Sequence, residues 1–369
     1  MENLESLVKL LQENLKDPLT NALIGQKIKV HDFQTGKKIL GLIKSKRLKF
    51  KFQPGFFMSD EHKKALIEQI QNLAQQQDVE LDIEIIDGVK THVVQGGIKP
   101  LKTVKNIIAV ASGKGGVGKS TTAVNLALAL SKQGARVGVL DADIYGPSQP
   151  LMLGVKEGKP KVVNSKMQPW SAHGIWVNSI GFLIDGDAPA ILRGPMVSQA
   201  LDQLVQQTAW PDLDYLVVDM PPGTGDIALT LSQKVPVVGS VIVTTPQDVA
   251  LIDARKGVLM FHKVDVPVLG LIENMSMFTC PNCGHTEHLF GHGGGRKMAQ
   301  ELNVPWLGDL PLTRDVREQT DSGNPTVISD PDSEAAKIYQ TIAHKVALQI
   351  ATLPIDHSGA FPKVVVQSV

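Results

Sequence analysis

From Val104 onward, short apolar runs alternate with stretches in which apolar residues recur at helical spacing. Each run is long enough for one buried strand, and most of the stretches between them are long enough for a helix. This alternation predicts an α/β fold, with a mostly parallel sheet and helices on both of its faces. The predicted strands are 106–111, 136–141, 215–220, 240–244, 266–272 and 304–310. The predicted helices include 120–132, 248–263 and 333–350.

The first 95 residues have a different pattern, which predicts a separate small α+β domain. Helical spacing covers 4–15 and 61–75, and the strand-like segments are 26–30, 38–43 and 78–86. We interpret 96–104 as a linker because it contains Gly97 and Pro100, which break regular structure. The α/β domain is then expected to span 105–352, and 353–369 to form an irregular C-terminal tail.

A basic segment lies inside the first domain, with seven basic residues and no acidic one between Lys37 and Lys51. Leu48, Phe50 and Phe52 alternate with charged residues there. The alternation favours a half-buried strand with a solvated basic face. A docking surface for an acidic partner is the alternative interpretation.

Charge is balanced over the whole chain, with 37 basic and 37 acidic residues among 369. A neutral chain has no overall field that would draw it to nucleic acid or to a membrane, so we expect neither as a partner. No N-terminal targeting pattern and no apolar run of membrane-spanning length is found, and we expect a cytoplasmic protein. The only cysteines are Cys280 and Cys283, whose spacing favours metal or redox chemistry over a structural disulfide in a reducing compartment.

A phosphate-binding loop links the first predicted strand of the α/β domain to a helix. Residues 113–120 read Gly-Lys-Gly-Gly-Val-Gly-Lys-Ser and satisfy the P-loop pattern. In such loops backbone N–H groups and the helix N-terminus surround the phosphates. We expect Lys119 to reach the β- and γ-phosphates of ATP and Ser120 to ligate Mg²⁺. The predicted nucleotide-binding residues in this segment are Gly113, Lys114, Gly115, Gly116, Val117, Gly118, Lys119, Ser120 and Thr121.

Polar residues end three further predicted strands, at the edge of the sheet where ligands collect in such folds. Asp141 and Asp219 each close an apolar strand, which is the pattern of a carboxylate that holds Mg²⁺ directly or through water. Asp143 is placed to orient an attacking water. Asn274 follows the strand 266–272, and its carboxamide is suited either to reading an adenine edge or to forming a turn.

The cysteine pair Cys280-Pro-Asn-Cys283 leaves three interpretations open. A zinc site would need further ligands, for which His285, His288 and His292 are available. A redox dithiol is the second interpretation. The third is an iron–sulfur cluster, which usually has four thiolate ligands, so that a two-fold dimer of this chain would supply all four.

Together these motifs resemble the Mrp/ApbC family of iron–sulfur cluster carriers, which are deviant Walker-A ATPases of the MinD/ParA-like superfamily. The resemblance covers about residues 104–350 and is carried by 113–120, 141–148, 219–226, 273–276, 280–284 and 290–295. The first domain resembles, less closely, the MIP-type module that many members carry. The Asp17-Pro18 turn is present, but the cysteine sometimes found in that module is absent.

The resemblance implies a weakly hydrolysing ATPase that binds a [4Fe-4S] cluster between two copies of the chain. Scaffold proteins would donate the cluster and apo iron–sulfur proteins would receive it. The implied residue roles are partner-nucleotide contact for Lys114, water activation for Asp143, the switch II aspartate for Asp219, adenine contact for Asn274 and cluster bridging for Cys280 and Cys283. Lys114, Lys119 and Asp143 are thus the expected catalytic residues.

Two rival hypotheses remain. The first is a positioning ATPase that partitions DNA or marks a membrane, and the second is a non-enzymatic zinc-binding scaffold.

Overall fold

A computed structural model describes residues 2–34, 48–155, 158–183 and 194–357. The chain forms two compact units, Met1–Val89 and Lys90–Val369. The predicted strand 38–43 and most of the predicted tail lie outside the described residues.

The described part of the first unit contains a three-stranded sheet and two helices. Its strand order is β1-β2-β3, where β1 and β2 are antiparallel and β2 and β3 are parallel. The helices are α1 (Glu2–Asn14) and α2 (Asp60–Gln75), and the strands are β1 (Phe33–Gln34), β2 (Leu48–Phe52) and β3 (Leu81–Ile85). In the described part of the basic segment, Phe50 and Phe52 are buried while Lys49 and Lys51 are exposed, which confirms the half-buried strand there.

The predicted strand 26–30 is wrong. Two single 3₁₀ turns, Gly25–Lys27 and Val30–Asp32, occupy this region. Gly25 lies directly against α1, where a Cβ atom would stand 2.0 Å from the Leu11 carbonyl oxygen. The backbone N–H groups of Ile24 and Gly25 both donate to the Leu15 carbonyl, so this segment pairs with the end of a helix instead of with a strand.

The second unit is built on an eight-stranded sheet of order β15-β12-β11-β4-β10-β5-β9-β8, parallel except for the edge strand β8. This confirms the predicted mostly parallel sheet. Its strands are β4 (Val104–Ser112), β5 (Val137–Asp141), β8 (Trp170–Ala172), β9 (Ile175–Ser179), β10 (Leu213–Asp219), β11 (Val237–Thr244), β12 (Val268–Glu273) and β15 (Trp306–Asp309). Two small hairpins lie outside it, β6–β7 (Val162–Val163, Lys166–Met167) and β13–β14 (Phe278–Thr279, Thr286–Glu287).

The described part of the second unit also contains α-helices, several of which contact strands of this sheet. They are α3 (Lys119–Lys132), α4 (Gln149–Met152), α5 (Gly194–Gln207), α6 (Asp226–Lys234), α7 (Asp248–Lys263), α8 (Gly294–Glu301), α9 (Arg314–Asp321), α10 (Thr326–Ser329) and α11 (Glu334–Thr352). The apolar side of α11, predicted from spacing, is buried in the core from Ala336 to Ile350. None of the helices in the described ranges combines the length and apolar character required to cross a bilayer.

The unit begins before the stretch 96–104. Asn106 on β4 donates to the Lys90 carbonyl and accepts from the His92 backbone N–H, at 2.8 and 3.3 Å. The Gln95 side chain donates to the Ser232 carbonyl and accepts from the Val237 N–H, at 2.8 and 3.1 Å. These contacts hold residues 90–95 to the large sheet.

Candidate functional site

The phosphate-binding loop connects the end of β4 to α3, in the middle of the sheet. Gly116 and Gly118 have φ values of 80° and 81°, a region that favours glycine. Gly113 permits a close approach to α7, since a Cβ atom there would stand 2.1 Å from the Asp253 carbonyl carbon. The glycines are therefore required by the path of the loop.

Lys119 is the electrostatic centre of the site. Its ammonium donates to Asp219 Oδ1 at 2.5 Å and to Ser120 Oγ at 3.3 Å, and it lies 3.3 Å from Asp143 Oδ2. The Lys119 and Asp219 side chains are buried. Three segments distant in the sequence thus meet at one ammonium group, as the strand-end pattern predicts.

Asp141 lies beside this ion pair and is completely buried. Its carboxylate accepts from the backbone N–H groups of Asp143 and Gln149 and from the Ser179 hydroxyl, at 3.2, 3.0 and 3.0 Å. Burial, and then the nearby charge of Asp219, raise the pKa of Asp141 to about 7 against the lowering effect of these hydrogen bonds. Without a bound cation, Asp141 therefore holds a proton in mildly acidic solution.

The raised pKa of Asp141 predicts a pH-dependent effect of Asp141→Asn on stability. Its ordinary pKa is 3.8, so between about pH 4 and 7 the folded state binds a proton that the unfolded state has lost. The stability from this group is complete below that range and is lost as the pH rises to about 7. Asparagine cannot ionise, so we expect Tm of the variant minus Tm of the wild type to increase from pH 5 to 8. Thermal unfolding without nucleotide or Mg²⁺ measures this, and a difference independent of pH would contradict it.

Asn274 is tied to the phosphate-binding loop. Its Nδ2 donates to the Val117 carbonyl at 2.9 Å, and its Oδ1 accepts from the Met275 N–H at 2.9 Å. Each end of the amide retains one further hydrogen-bonding position, so contact with adenine stays a prediction. Gly118 faces this amide, since a Cβ atom there would stand 2.1 Å from Nδ2.

Lys114 is held by its backbone and not by its side chain. Its carbonyl accepts from the Ser112 hydroxyl at 2.9 Å. The half-buried side chain makes no ion pair with any residue of the described ranges. The ammonium is thus available to an external anion, and partner-nucleotide contact stays a prediction.

A cavity of about 220 Å³ lies over the loop. Its lining joins Lys114, Lys119 and Ser120 to Asp143 and to Pro222 from the segment after β10. Gly115, Gly116, Gly118 and Thr121 also line it. A larger open depression of about 610 Å³ borders Arg296 and Trp306 and contains none of the predicted site residues, so we take the smaller cavity as the candidate nucleotide site.

The cysteines lie on the β13–β14 hairpin, outside the main sheet. The Cys280 N–H donates to the His285 carbonyl at 2.8 Å, and the Gly284 N–H donates to the Cys280 carbonyl at 2.9 Å. The backbone N–H of Cys283, and then that of Asn282, lower the pKa of the Cys280 thiol. Cys280 is half-buried and Cys283 is exposed, so both thiols belong to a small surface turn that favours the thiolate form of Cys280.

The histidines do not complete a metal site with these thiols. His288 Nδ1 donates to the Ser276 carbonyl at 2.6 Å, and its ring lies at 30° to that of His292 with centroids 4.7 Å apart. Within the part of the chain that the structure describes, no group of three or more His, Cys, Asp or Glu side chains is arranged to hold a metal ion. A four-ligand zinc site is therefore not assembled there by one chain.

Glu273, which the sequence pattern did not mark as a site residue, fixes the segment after the hairpin. This buried carboxylate at the end of β12 accepts from the Gly293 and Gly295 N–H groups at 3.1 and 2.6 Å, at the start of α8. A negative charge at a helix N-terminus is stabilising. Glu273 precedes Asn274, so adjacent residues hold the loop that begins α8 and the phosphate-binding loop. Neither its spacing nor its residue type marks this role, although it lies in the quoted segment 273–276.

Two polar residues beside Asp141 were also missed. Ser179, at the end of β9, donates to it, and Gln149, at the start of α4, contacts both Asp141 and Asp219. Gln149 follows the Gly-Pro-Ser segment 146–148, but its burial became evident only from the fold.

Comparison with known proteins decides the family. The model of the NUBPL iron-transfer P-loop NTPases, of the ParA group, matches residues 103–347. The chain belongs to this family. An iron–sulfur cluster carrier protein of Pseudomonas fragi is 63% identical over 263 residues, which are 71% of this chain and 92% of that protein. The carrier protein of Escherichia coli K12 is 60% identical over 67% of each chain. The cluster transfer protein NUBPL of Mus musculus is 51% identical over 72% of this chain and 85% of its own.

Solved structures agree with this assignment to the NTPase family. The nucleotide-binding protein of Archaeoglobus fulgidus in complex with ADP is 37% identical, with a TM-score of 0.56 over 63% of this chain and 91% of its own. The cell division ATPase MinD of Pyrococcus furiosus has a TM-score of 0.51 over 65% and 98%, respectively. At 22% identity it shows the shared fold alone.

Proposed function

We propose that this NTPase family member is an ATP-dependent carrier of iron–sulfur clusters. Two copies of the chain hold one [4Fe-4S] cluster between their hairpins and pass it to apoproteins. The observation that carries the proposal is the pair of accessible thiols on the β13–β14 hairpin. The same chain also contains a phosphate-binding loop. Relatives named as cluster carriers and as a cluster transfer protein support it.

The nucleotide half of the proposal rests on the groups around Lys119. ATP phosphates would compete with Asp219 and Asp143 for this ammonium, which is tied to both carboxylates in the structure. Mg²⁺ is commonly held by one or two carboxylates together with substrate phosphates, and the Ser120 hydroxyl, Asp219 and Asp141 are the oxygen donors next to that position. Asp143 then becomes available to orient the water that attacks the γ-phosphate.

The cluster-binding part of the proposal rests on the number of thiolate ligands that one chain can supply. Each chain contributes the thiols of Cys280 and Cys283, and a [4Fe-4S] cluster usually takes four. A two-fold axis through the hairpins supplies the other pair from a second copy. A cluster held by a surface turn is open to attack by the thiolates of a recipient, which suits transfer better than permanent storage.

Anaerobic reconstitution with iron and sulfide tests the proposal. The expected result is about four iron and four sulfide per dimer and reactivation of an apo [4Fe-4S] enzyme. Failure to bind iron and sulfide would refute the carrier function. Co-sedimentation with DNA or liposomes in the presence of ATP would instead support a positioning ATPase. Stoichiometric zinc in protein purified without oxygen would support the zinc scaffold.

A further inference from the structure

Gln149 occupies a position where three segments of the candidate nucleotide site meet. It is the first residue of the short helix α4 and is completely buried. Its backbone N–H donates to Asp141 Oδ2 at 3.0 Å. Its side-chain Nε2 donates to the Ser120 carbonyl at 3.0 Å and to Asp219 Oδ2 at 2.9 Å. One residue thereby joins the phosphate-binding loop to the ends of β5 and β10.

The chemistry of these partners fixes the orientation of the Gln149 amide. A backbone carbonyl and a carboxylate can only accept hydrogen bonds, and Nε2 has two hydrogens to donate. Reversing the amide would bring its oxygen against both acceptors. Both donors of the amide are therefore used within the candidate site.

The environment of the Gln149 amide oxygen indicates that glutamine is not the most stabilising residue at this position. Gln149 Oε1 is buried and has no hydrogen-bond partner among the described residues. A buried acceptor without a partner costs about 1–3 kcal/mol. A methionine of similar length would fill the same space without that cost. The contribution of glutamine here is the pair of donors, which act on Ser120 and Asp219.

We propose that Gln149 is a positioning residue for the Mg²⁺–nucleotide site, an inference that rests on the proposed ATPase function. In the structure Asp219 is held from both sides, with Oδ1 on Lys119 and Oδ2 on Gln149. If ATP phosphates drew Lys119 away, Oδ1 would be released while Gln149 retained Oδ2. Gln149 would then keep the Asp219 carboxylate in one orientation for binding Mg²⁺ directly or through water. The same amide holds the Ser120 backbone, so Ser120 and Asp219, two of the three proposed Mg²⁺ donors, keep their spacing.

Gln149→Met tests this role because it removes the donors and keeps the volume. Replacing residues that orient metal ligands typically lowers metal affinity or activity about 10–100-fold. We expect the Mg²⁺ concentration for half-maximal ATP hydrolysis to rise by at least about tenfold. Binding of a fluorescent ATP analogue in EDTA should change less than about twofold, since Gln149 is not among the residues that line the cavity. A loss of packing alone would not raise the Mg²⁺ requirement while leaving the affinity for the ATP analogue unchanged.

Gln95→Met is the matched control. Its side chain also makes two hydrogen bonds to backbone groups of the second unit, but away from the phosphate-binding loop. Its Mg²⁺ dependence should equal that of the wild type. Should the Gln149→Met protein not fold, Gln149→Asn, whose shorter amide cannot reach both acceptors, should show the same shift.

Asp219→Asn separates failure of this inference from failure of the proposed function. If Asp219→Asn shifts the Mg²⁺ dependence and folded Gln149→Met does not, the positioning role is wrong and the ATPase site stands. If neither variant shifts it, or if the wild type does not hydrolyse ATP, the assignment of this site is itself wrong.

Discussion

Replacing Cys280 and Cys283 together by serine is expected to abolish cluster binding while the ATPase site stays folded. Serine keeps the size of the side chain but is a poor ligand for iron, and a bridging cluster would lose all four of its thiolates. Iron and sulfide per dimer after anaerobic reconstitution should fall to background. ATP-analogue binding should change less than about twofold, because the hairpin lies outside the main sheet that carries the phosphate-binding loop.

Single cysteine variants and a control variant of the nearby His285 make this test more specific. Cys280→Ser and Cys283→Ser should each leave two of four ligands in a dimer and should each lose most of the cluster. His285→Asn is the control, since the structure uses the backbone of His285 and not its side chain to close the turn. Retention of a full cluster by the double variant would overturn the assignment of this site.

The second large effect is expected from the two lysines of the phosphate-binding loop. Lys119→Ala and Lys114→Ala should each reduce ATP hydrolysis by at least about 10³-fold, the range seen when a cation that contacts the transferred phosphate is removed. Their effects on stability should differ. Lys119→Ala leaves the buried Asp219 without its cation, which costs about 3–5 kcal/mol of unfolding free energy. Lys114 has no ion-pair partner among the described residues, so Lys114→Ala should unfold like the wild type.

Mixing the two inactive variants tests whether Lys114 acts on the nucleotide of the partner. A mixed dimer has one site with an intact Lys119 that can receive Lys114 from the other subunit. Random exchange should therefore restore about a quarter of the wild-type activity, because about half of the dimers are mixed and each has one complete site of two. If Lys114 acts within its own chain, the mixture stays inactive, and the predicted contact of Lys114 with the partner's nucleotide is wrong.

Much of the second unit could be predicted because its signals are local. Helix α7 begins and ends at the predicted residues Asp248 and Lys263, and the strands at 137–141, 213–219 and 237–244 lie within a few residues of their predicted bounds. Apolar runs and helical spacing in the sequence directly reflect which side chains of a strand or helix are buried. The edge strand β8 and its neighbour β9 were not predicted, because short strands with mixed polarity carry little of that signal. The prediction of a strand at 26–30 was wrong for a different reason, since packing of this segment against the preceding helix α1 outweighed its strand-like composition.

The sequence by itself determined the family, the phosphate-binding loop and the cysteine pair, because these depend on residue type and spacing along a short segment. It also predicted that Asp141 and Asp219 each end a strand of the sheet, whereas the structure shows that these two strands are neighbours. Only the tertiary structure decided that Lys119 joins Asp219 to Asp143, that Gln149 ties Ser120 to Asp219, and that Glu273 holds the start of α8. These contacts join residues from about 20 to 100 positions apart. Their formation depends on which strands become neighbours in the sheet, and no local pattern of charge or hydropathy records that order.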